Sequence, residues 1–113
     1  MHEAGIIQSV LTIAEKTARD SGSAGIQRIR MRIGILTGIV EEALQHAFLV
    51  LREDTLAEKA ELRVEYLPGR SWCSFCNNEF TSGDLLLFCP ECGRPSGEVR
   101  GGLEMELVSI DVD

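Results

Sequence analysis

Residues 73–92 read CSFCNNEFTSGDLLLFCPEC. Cys73-Ser74-Phe75-Cys76 and Cys89-Pro90-Glu91-Cys92 make a C-x2-C-x12-C-x2-C pattern. Two turns of this kind bring four thiolates to one tetrahedral site, the arrangement that Zn²⁺ prefers. The spacer is shorter than the roughly 15–20 residues usual for paired CxxC zinc sites, so the hairpin between must be tight. Asn77 follows the first pair and Gly93 the second, and both tolerate the left-handed backbone that such turns need. The segment of about residues 71–98 is too short for a core of its own; units below ~40 residues usually need a metal or disulfides. Phe75, Phe80 and Leu85 to Phe88 are expected to cluster around the metal. A site of four cysteines has no open position, so this Zn²⁺ is read as structural, not catalytic. The rival is a thiol oxidoreductase in which the pairs cycle as dithiols. Neither pair sits at the start of a helix in a βαβ unit, as a thioredoxin-like site would require.

Outward from this insert the chain alternates helix and strand. Ile6, Ile7, Val10, Leu11, Ala14 and Ala18 recur at helical spacing, predicting a helix over 4–19 that stops at Asp20-Ser21-Gly22-Ser23. Ile29, Met31 and Ile33 alternate with Arg28, Arg30 and Arg32, which predicts a strand with one apolar and one arginine face. Gly34 to Gly38 turn the chain. Val40, Leu44, Ala47, Phe48 and Leu51 form the stripe of a second helix over 40–53, with Glu41 and Glu42 in its first turn, where carboxylates suit the helix dipole. Leu62, Val64 and Tyr66 alternate with Glu61, Arg63 and Glu65 in a second strand, ended by Pro68-Gly69. The last strand is expected over 103–112, with a change of phase at Leu107-Val108. The fold class is therefore α+β, an α/β layer of two helices packed on a three-stranded sheet, with an inserted zinc-ribbon domain built on the four cysteines. Residues 1–70 form the first domain, completed by a final strand within 99–113, and residues 71–98 form the ribbon. On the polar sheet face the arginines should pair with Glu61, Glu65, Glu104 and Glu106.

Charge and composition limit the functions open to this fold. The chain has 113 residues, 44% hydrophobic and 26% charged, which suits a folded domain. Its formal net charge is −7. Residues 71–113 hold two basic and eight acidic side chains, against nine and ten in residues 1–70. Binding to nucleic acid without sequence preference needs a cationic surface, which is missing. No apolar run is long enough for a membrane-spanning helix, and no secretory leader is expected at Met1-His2-Glu3. Four clustered cysteines without an export signal place the chain in a reducing cytoplasm. No Gly-rich phosphate loop and no Ser-His-Asp or Cys-His arrangement stands out, so an enzyme is not expected.

Met1, His2 and Glu3 allow a second metal site. A bulky second residue generally prevents removal of the initiator methionine. The Met1 amine, the His2 backbone nitrogen and the His2 ring can then close chelate rings on one ion, with Glu3 adding a carboxylate or a further backbone nitrogen. Nitrogen-rich sets of this kind suit Ni²⁺ or Cu²⁺, and proton competition weakens them in acid. The alternative is an idle, frayed terminus. His46 reads as a residue of the second helix's surface or packing.

In combination these features resemble a known family. Met1-His2-Glu3 opens the first helix. Ile33-Gly34-Ile35-Leu36-Thr37-Gly38 precedes the second, which carries Glu42-Ala43-Leu44 and Ala47-Phe48. The paired CxxC motifs and the ending Gly102-Leu103-Glu104-Met105-Glu106-Leu107-Val108-Ser109-Ile110-Asp111 complete the pattern. Over nearly its whole length the chain resembles the hydrogenase maturation nickel-chaperone (nickel incorporation) family, HypA/HybF type. The resemblance implies Ni²⁺ as transient cargo on Met1, His2 and Glu3, and structural Zn²⁺ on Cys73, Cys76, Cys89 and Cys92. It implies delivery to the large-subunit precursor of a [NiFe]-hydrogenase, with a companion nickel GTPase as partner and urease as a further client in some relatives. The connection at Pro68-Gly69 permits a monomer or a homodimer. Gly5 and Val40 depart from the family's pattern, where many relatives have serine and some a carboxylate ligand. The competing function is a zinc-ribbon adaptor in a protein or nucleic-acid complex.

Overall fold

The computed structural model describes residues 3–113. Helix α1 spans Glu3–Asp20. Its face of Ile6, Ile7, Val10, Leu11, Ala14 and Ala18 is buried. The pairs Lys16–Asp20 and Glu15–Arg19 lie along its outer side at i,i+4 spacing. The helix stops because Gly22 turns left-handed (φ 76°) and the Ser23 amide donates to the Ala18 carbonyl, as in a Schellman end.

Strand β1 spans Ile26–Gly34, and a single 3-10 turn follows at Ile35–Thr37. Helix α2 runs Glu41–Leu51, shorter than the expected 40–53. Val40 is its extended N-cap, and the Leu44 amide donates to the Val40 carbonyl to start the first turn. Beyond Leu51 the chain breaks into turns. Asp54 is left-handed (φ 61°) and the Arg52 side chain donates to the Ala60 carbonyl at 2.6 Å. Strand β2 occupies Glu61–Leu67.

The remaining strands are β3 (Gly69–Cys73), β4 (Asn78–Ser82), β5 (Glu98–Gly101) and β6 (Met105–Val112). They make two three-stranded sheets, ordered β2-β1-β6 and β4-β3-β5. The chain divides into two compact units. One takes the described residues up to Met31 with Ile39–Glu65 and Glu106–Asp113; the other takes Arg32–Gly38 and Tyr66–Met105.

In the first unit α1 packs on α2, and Leu44 and Phe48 of α2 are fully buried, while Ile29 and Met31 of β1 and Leu62 of β2 are buried on the sheet. Burying each such side chain contributes about 1.5–3 kcal/mol. Gln45 ties α2 to β2 by donating to the Leu62 carbonyl at 2.8 Å. Among the described residues no helix is long and apolar enough to cross a membrane.

In the second unit β3 is the central strand. Its register sets Ser71 opposite Phe80 of β4 and Val99 of β5, with a bulge between Arg70 and Ser71. Ser71 is fully buried; its hydroxyl meets Ser96 Oγ at 2.7 Å and the Glu98 carbonyl at 2.9 Å, so the burial leaves no polar group stranded.

Two expectations need correction. The last strand begins at Met105, not Leu103. Gly102 is left-handed (φ 105°) and its amide donates to Glu104 Oε1 at 2.8 Å, so the chain turns there and leaves Leu103 exposed. On the arginine face Glu61 is a partner as expected, and Asp111 is one that was not expected. Arg28 bonds Glu61 of β2 and Asp111 of β6, and Arg30 lies 3.7 Å from Asp111.

Candidate metal centre

Cys73 ends β3, and the chain turns at once through Cys76 into β4. The Cys76 amide points back at Cys73 Sγ, 3.4 Å away, which fixes the first knuckle. Asn77 leaves it left-handed (φ 54°). The second knuckle closes through the Gly93 amide to the Cys89 carbonyl at 2.8 Å and the Cys89 amide to the Arg94 carbonyl at 2.9 Å. Gly93 is left-handed as well (φ 75°). The conformations expected of Asn77 and Gly93 are therefore the ones adopted.

The two knuckles face each other. All four Sγ atoms lie within 4.8 Å of one another. Cys73 and Cys92 are 3.7 Å apart, and Cys76 and Cys89 are 3.9 Å apart. A tetrahedron with Zn–S arms of ~2.3 Å has edges of about 3.8 Å, so the sulfur spacing fits that ion. Cys73 and Cys89 are buried and Cys76 and Cys92 half-buried. Phe80 and Leu87 pack against the sulfurs. Of the wider cluster expected here, Phe75, Leu85, Leu86 and Phe88 are exposed instead. The ribbon has room for one apolar layer beneath the sulfurs. Phe75 is covered on its other side by Arg94, whose guanidinium lies 3.5 Å from the ring centre.

The thiols do not ionise alike. The Cys92 thiol is lowered to about 6, chiefly by a hydrogen bond from the Arg94 backbone. Burial first, and then the neighbouring sulfurs, push Cys76 up to about 12. Sulfurs this close cannot all carry charge unless a cation offsets it, which is the behaviour of a donor set built for a metal.

The other candidate residues are spread over the first unit. Met1 and His2 lie outside the described residues. Glu3 opens α1, and its Oε2 accepts from the Val40 amide at 3.5 Å, so this carboxylate sits at the N-terminal ends of both helices. His46 is exposed on α2. Arg28 and Arg30 are paired with carboxylates, in keeping with a solvated sheet face. Asp111 and the Ser71–Ser96 pair were not singled out from the sequence. Nothing in local spacing marks them, because both depend on which strands become neighbours.

Residues 1–112 match the family model described as hydrogenase/urease nickel incorporation, metallochaperone, hypA. A protein of Chloroflexus aggregans named hydrogenase maturation factor HypA is 39% identical over 112 residues, 98% of each chain. One of the same name from Aquifex aeolicus is 34% identical over 113 residues, covering 100% of this chain and 98% of that one. The solution structure of the Ni metallochaperone HypA from Helicobacter pylori superposes with a TM-score of 0.67 at 24% identity, covering 99% of this chain and 97% of that one. At that identity the likeness is one of fold. A second solution structure, of a HypA protein, gives a TM-score of 0.70 at 23% identity over 99% and 96% of the two chains.

Proposed function

The chain belongs to the HypA family of hydrogenase/urease nickel-incorporation metallochaperones, and from that premise we propose a division of labour between its two metal-binding regions. It acts in hydrogenase maturation as a carrier of Ni²⁺. Cys73, Cys76, Cys89 and Cys92 hold a structural Zn²⁺, and Met1, His2 and Glu3 hold the cargo. When bound, the Zn²⁺ cross-links the two knuckles and leaves no position free for exchange. A closed four-sulfur set suits permanent retention and is a poor place from which to hand an ion on. This observation carries the reading, because it sends the labile ion elsewhere. The tripeptide offers nitrogen donors that suit Ni²⁺ and give it up by ligand exchange.

The chemistry is transfer without turnover, so no catalytic residue is assigned. The recipient is the large-subunit precursor of a [NiFe]-hydrogenase in the cytoplasm, with a companion GTPase as co-chaperone and urease as a further client. A homodimer is compatible with this role. Glu3 has two parts to play. One carboxylate oxygen lies 3.5 Å from the Val40 amide at the start of α2, and the carboxylate is also a ligand of the ion in this reading. The adaptor reading is weaker, because the ribbon, residues 71–98, contains Arg94 as its one basic residue to meet a nucleic acid.

The test is a Ni²⁺ titration of zinc-loaded, untagged protein beside the same protein with one residue added before Met1. The addition moves the amine out of chelating range and leaves the four sulfurs untouched. One tightly held nickel in the native chain, lost in the extended chain, is the expected result. Equal binding by both, or binding by neither, would sink the assignment of the tripeptide.

A further inference from the structure

The four sulfurs differ in reach and in neighbours. Cys73 and Cys89 are buried, while Cys76 and Cys92 are half-buried and meet water. Cys92 touches Cys73 at 3.7 Å, and Cys76 touches Cys89 at 3.9 Å. Each contact joins a sheltered sulfur to one that solvent reaches. Each also runs from one knuckle to the other, not within a Cys-x-x-Cys motif.

The backbone holds the sulfurs to those partners. In the first knuckle the Cys76 amide donates to Cys73 Sγ at 3.4 Å, which ties that sulfur over its own turn. Cys73 is fixed in register opposite Asn78 of β4. In the second knuckle the Gly93 amide donates to the Cys89 carbonyl at 2.8 Å, and Phe88 bridges to Pro95. Closing either contact to the ~2.05 Å of a disulfide moves each sulfur by under about 1 Å, within the reach of side-chain rotation. A disulfide inside one motif would leave the two knuckles unlinked once the ion is gone. Disulfides across them tie residue 73 to 92 and 76 to 89, and so keep the cross-link that the ion supplies.

Thiolates that hold a metal are already deprotonated, the form that attacks a peroxide. We propose that the four sulfurs are a redox switch: hydrogen peroxide converts them to the disulfides Cys73–Cys92 and Cys76–Cys89, which release the ion and leave the ribbon closed. The half-buried sulfur of each pair attacks one peroxide oxygen. The O–O bond breaks, a hydroxide leaves, and a sulfenic acid forms. The buried partner's thiolate then attacks that sulfur. The S–S bond forms as the S–O bond breaks, and a second hydroxide leaves. Each pair thereby gives two electrons to one peroxide. A disulfide sulfur no longer carries the charge that holds a divalent cation. The dithiol cycle of an oxidoreductase differs, because there sulfur pairs with sulfur inside one motif. The switch adds a control to the structural site and does not depend on where nickel binds.

The experiment treats full-length, zinc-loaded chain with hydrogen peroxide and then blocks the remaining thiols. A chromogenic zinc indicator follows release. Cleavage after Phe75 and after Glu91 separates the two cysteines of each motif, so mass spectrometry of the unreduced peptides identifies every pairing. Hydrogen exchange follows residues 69–101. The expected result is about two peroxide molecules consumed per zinc released, one two-electron oxidation for each disulfide. The linked peptides should be Cys73–Cys92 and Cys76–Cys89, and slow exchange should persist in the ribbon. Dithiothreitol with added zinc should restore the starting state. Zinc retained in a large excess of peroxide would overturn the inference. So would disulfides within either motif, Cys73 joined to Cys89, or release with the sulfurs oxidised past sulfenic acid. An oxidised ribbon that exchanges as fast as the reduced, metal-free one would overturn it as well.

Discussion

Arg28 joins three strands through one side chain. It sits on β1, the middle strand, with Nε on Glu61 of β2 and Nη1 3.1 Å from Asp111 of β6. The bond from Arg28, aided by Arg63 at 3.1 Å, holds the Glu61 carboxyl below its ordinary 4.5. A depressed carboxylate contributes stability above its unfolded pKa and loses it as pH falls through the folded value. The stability that Arg28 adds through Glu61 is thus fully present above about pH 4.5 and fades below it. In Arg28→Gln the Glu61 midpoint should move up toward 4.5, as read by NMR titration of its carboxyl carbon. The difference in melting temperature between Arg28→Gln and native chain should shrink with acid. A native Glu61 that titrates like any exposed glutamate would refute the account. The pairing of Arg28 with Glu61 was legible in the sequence, because both strands alternate cleanly. Asp111 was not, since its side depends on where β6 starts, and that is set by the left-handed Gly102.

Helices and sheets divide by how much of their burial pattern is local. Phe48 of α2 is 1% exposed and its ring has Arg52 stacked 5.7 Å away. Phe48→Ala should cost about 3–5 kcal/mol, the usual range for emptying an aromatic site in a core. Chemical denaturation would measure it, and a loss below about 1 kcal/mol would mean that the helix layer is not held by this ring. Both helices were readable because their buried positions recur at a period near 3.6. The strands β3, β4 and β5 were not: Glu98-Val99-Arg100-Gly101 and Asn78-Glu79-Phe80-Thr81-Ser82 hold one large apolar residue each, too few for alternation to show. Glycine also matters at the crossing of elements. A Cβ on Gly34 would overlap the Gly102 carbonyl, at a place where the Leu36 amide also donates to Gly102 at 2.8 Å. Gly34→Ala should therefore destabilise by more than ~1 kcal/mol, with the largest shifts in NMR signals at residues 34–36 and 102–104. A Gly34→Ala chain as stable as the native one would show that the backbones can part at no cost.

At the scale of the whole molecule, the two units differ in what holds them together. The first has a core of buried side chains drawn from α1, α2, β1 and β2. Around the four sulfurs of the second, the buried apolar cluster is Phe80 with the cysteines, backed by the half-buried Leu87. A layer that thin cannot offset the ordering of some forty residues, for which chain entropy alone costs about 1–2 kcal/mol per residue. The four sulfurs must therefore contribute folding energy through the ion they hold. Removing zinc with a strong chelator under reducing conditions should abolish slow hydrogen exchange in residues 69–101 while amides of α1 and α2 stay protected. Cys76→Ser should do the same without a chelator, since three sulfurs leave the knuckles joined by one arm fewer. Acid should mimic the chelator as protons displace the metal from the thiolates, and the ribbon's loss of protection should track zinc release at each pH. If both units opened together, they would form one cooperative body, and Phe80 and Leu87 would hold more of the ribbon than their area allows. If neither opened, the hydrogen bonds of Ser71 and Ser96 would have to hold the ribbon unaided.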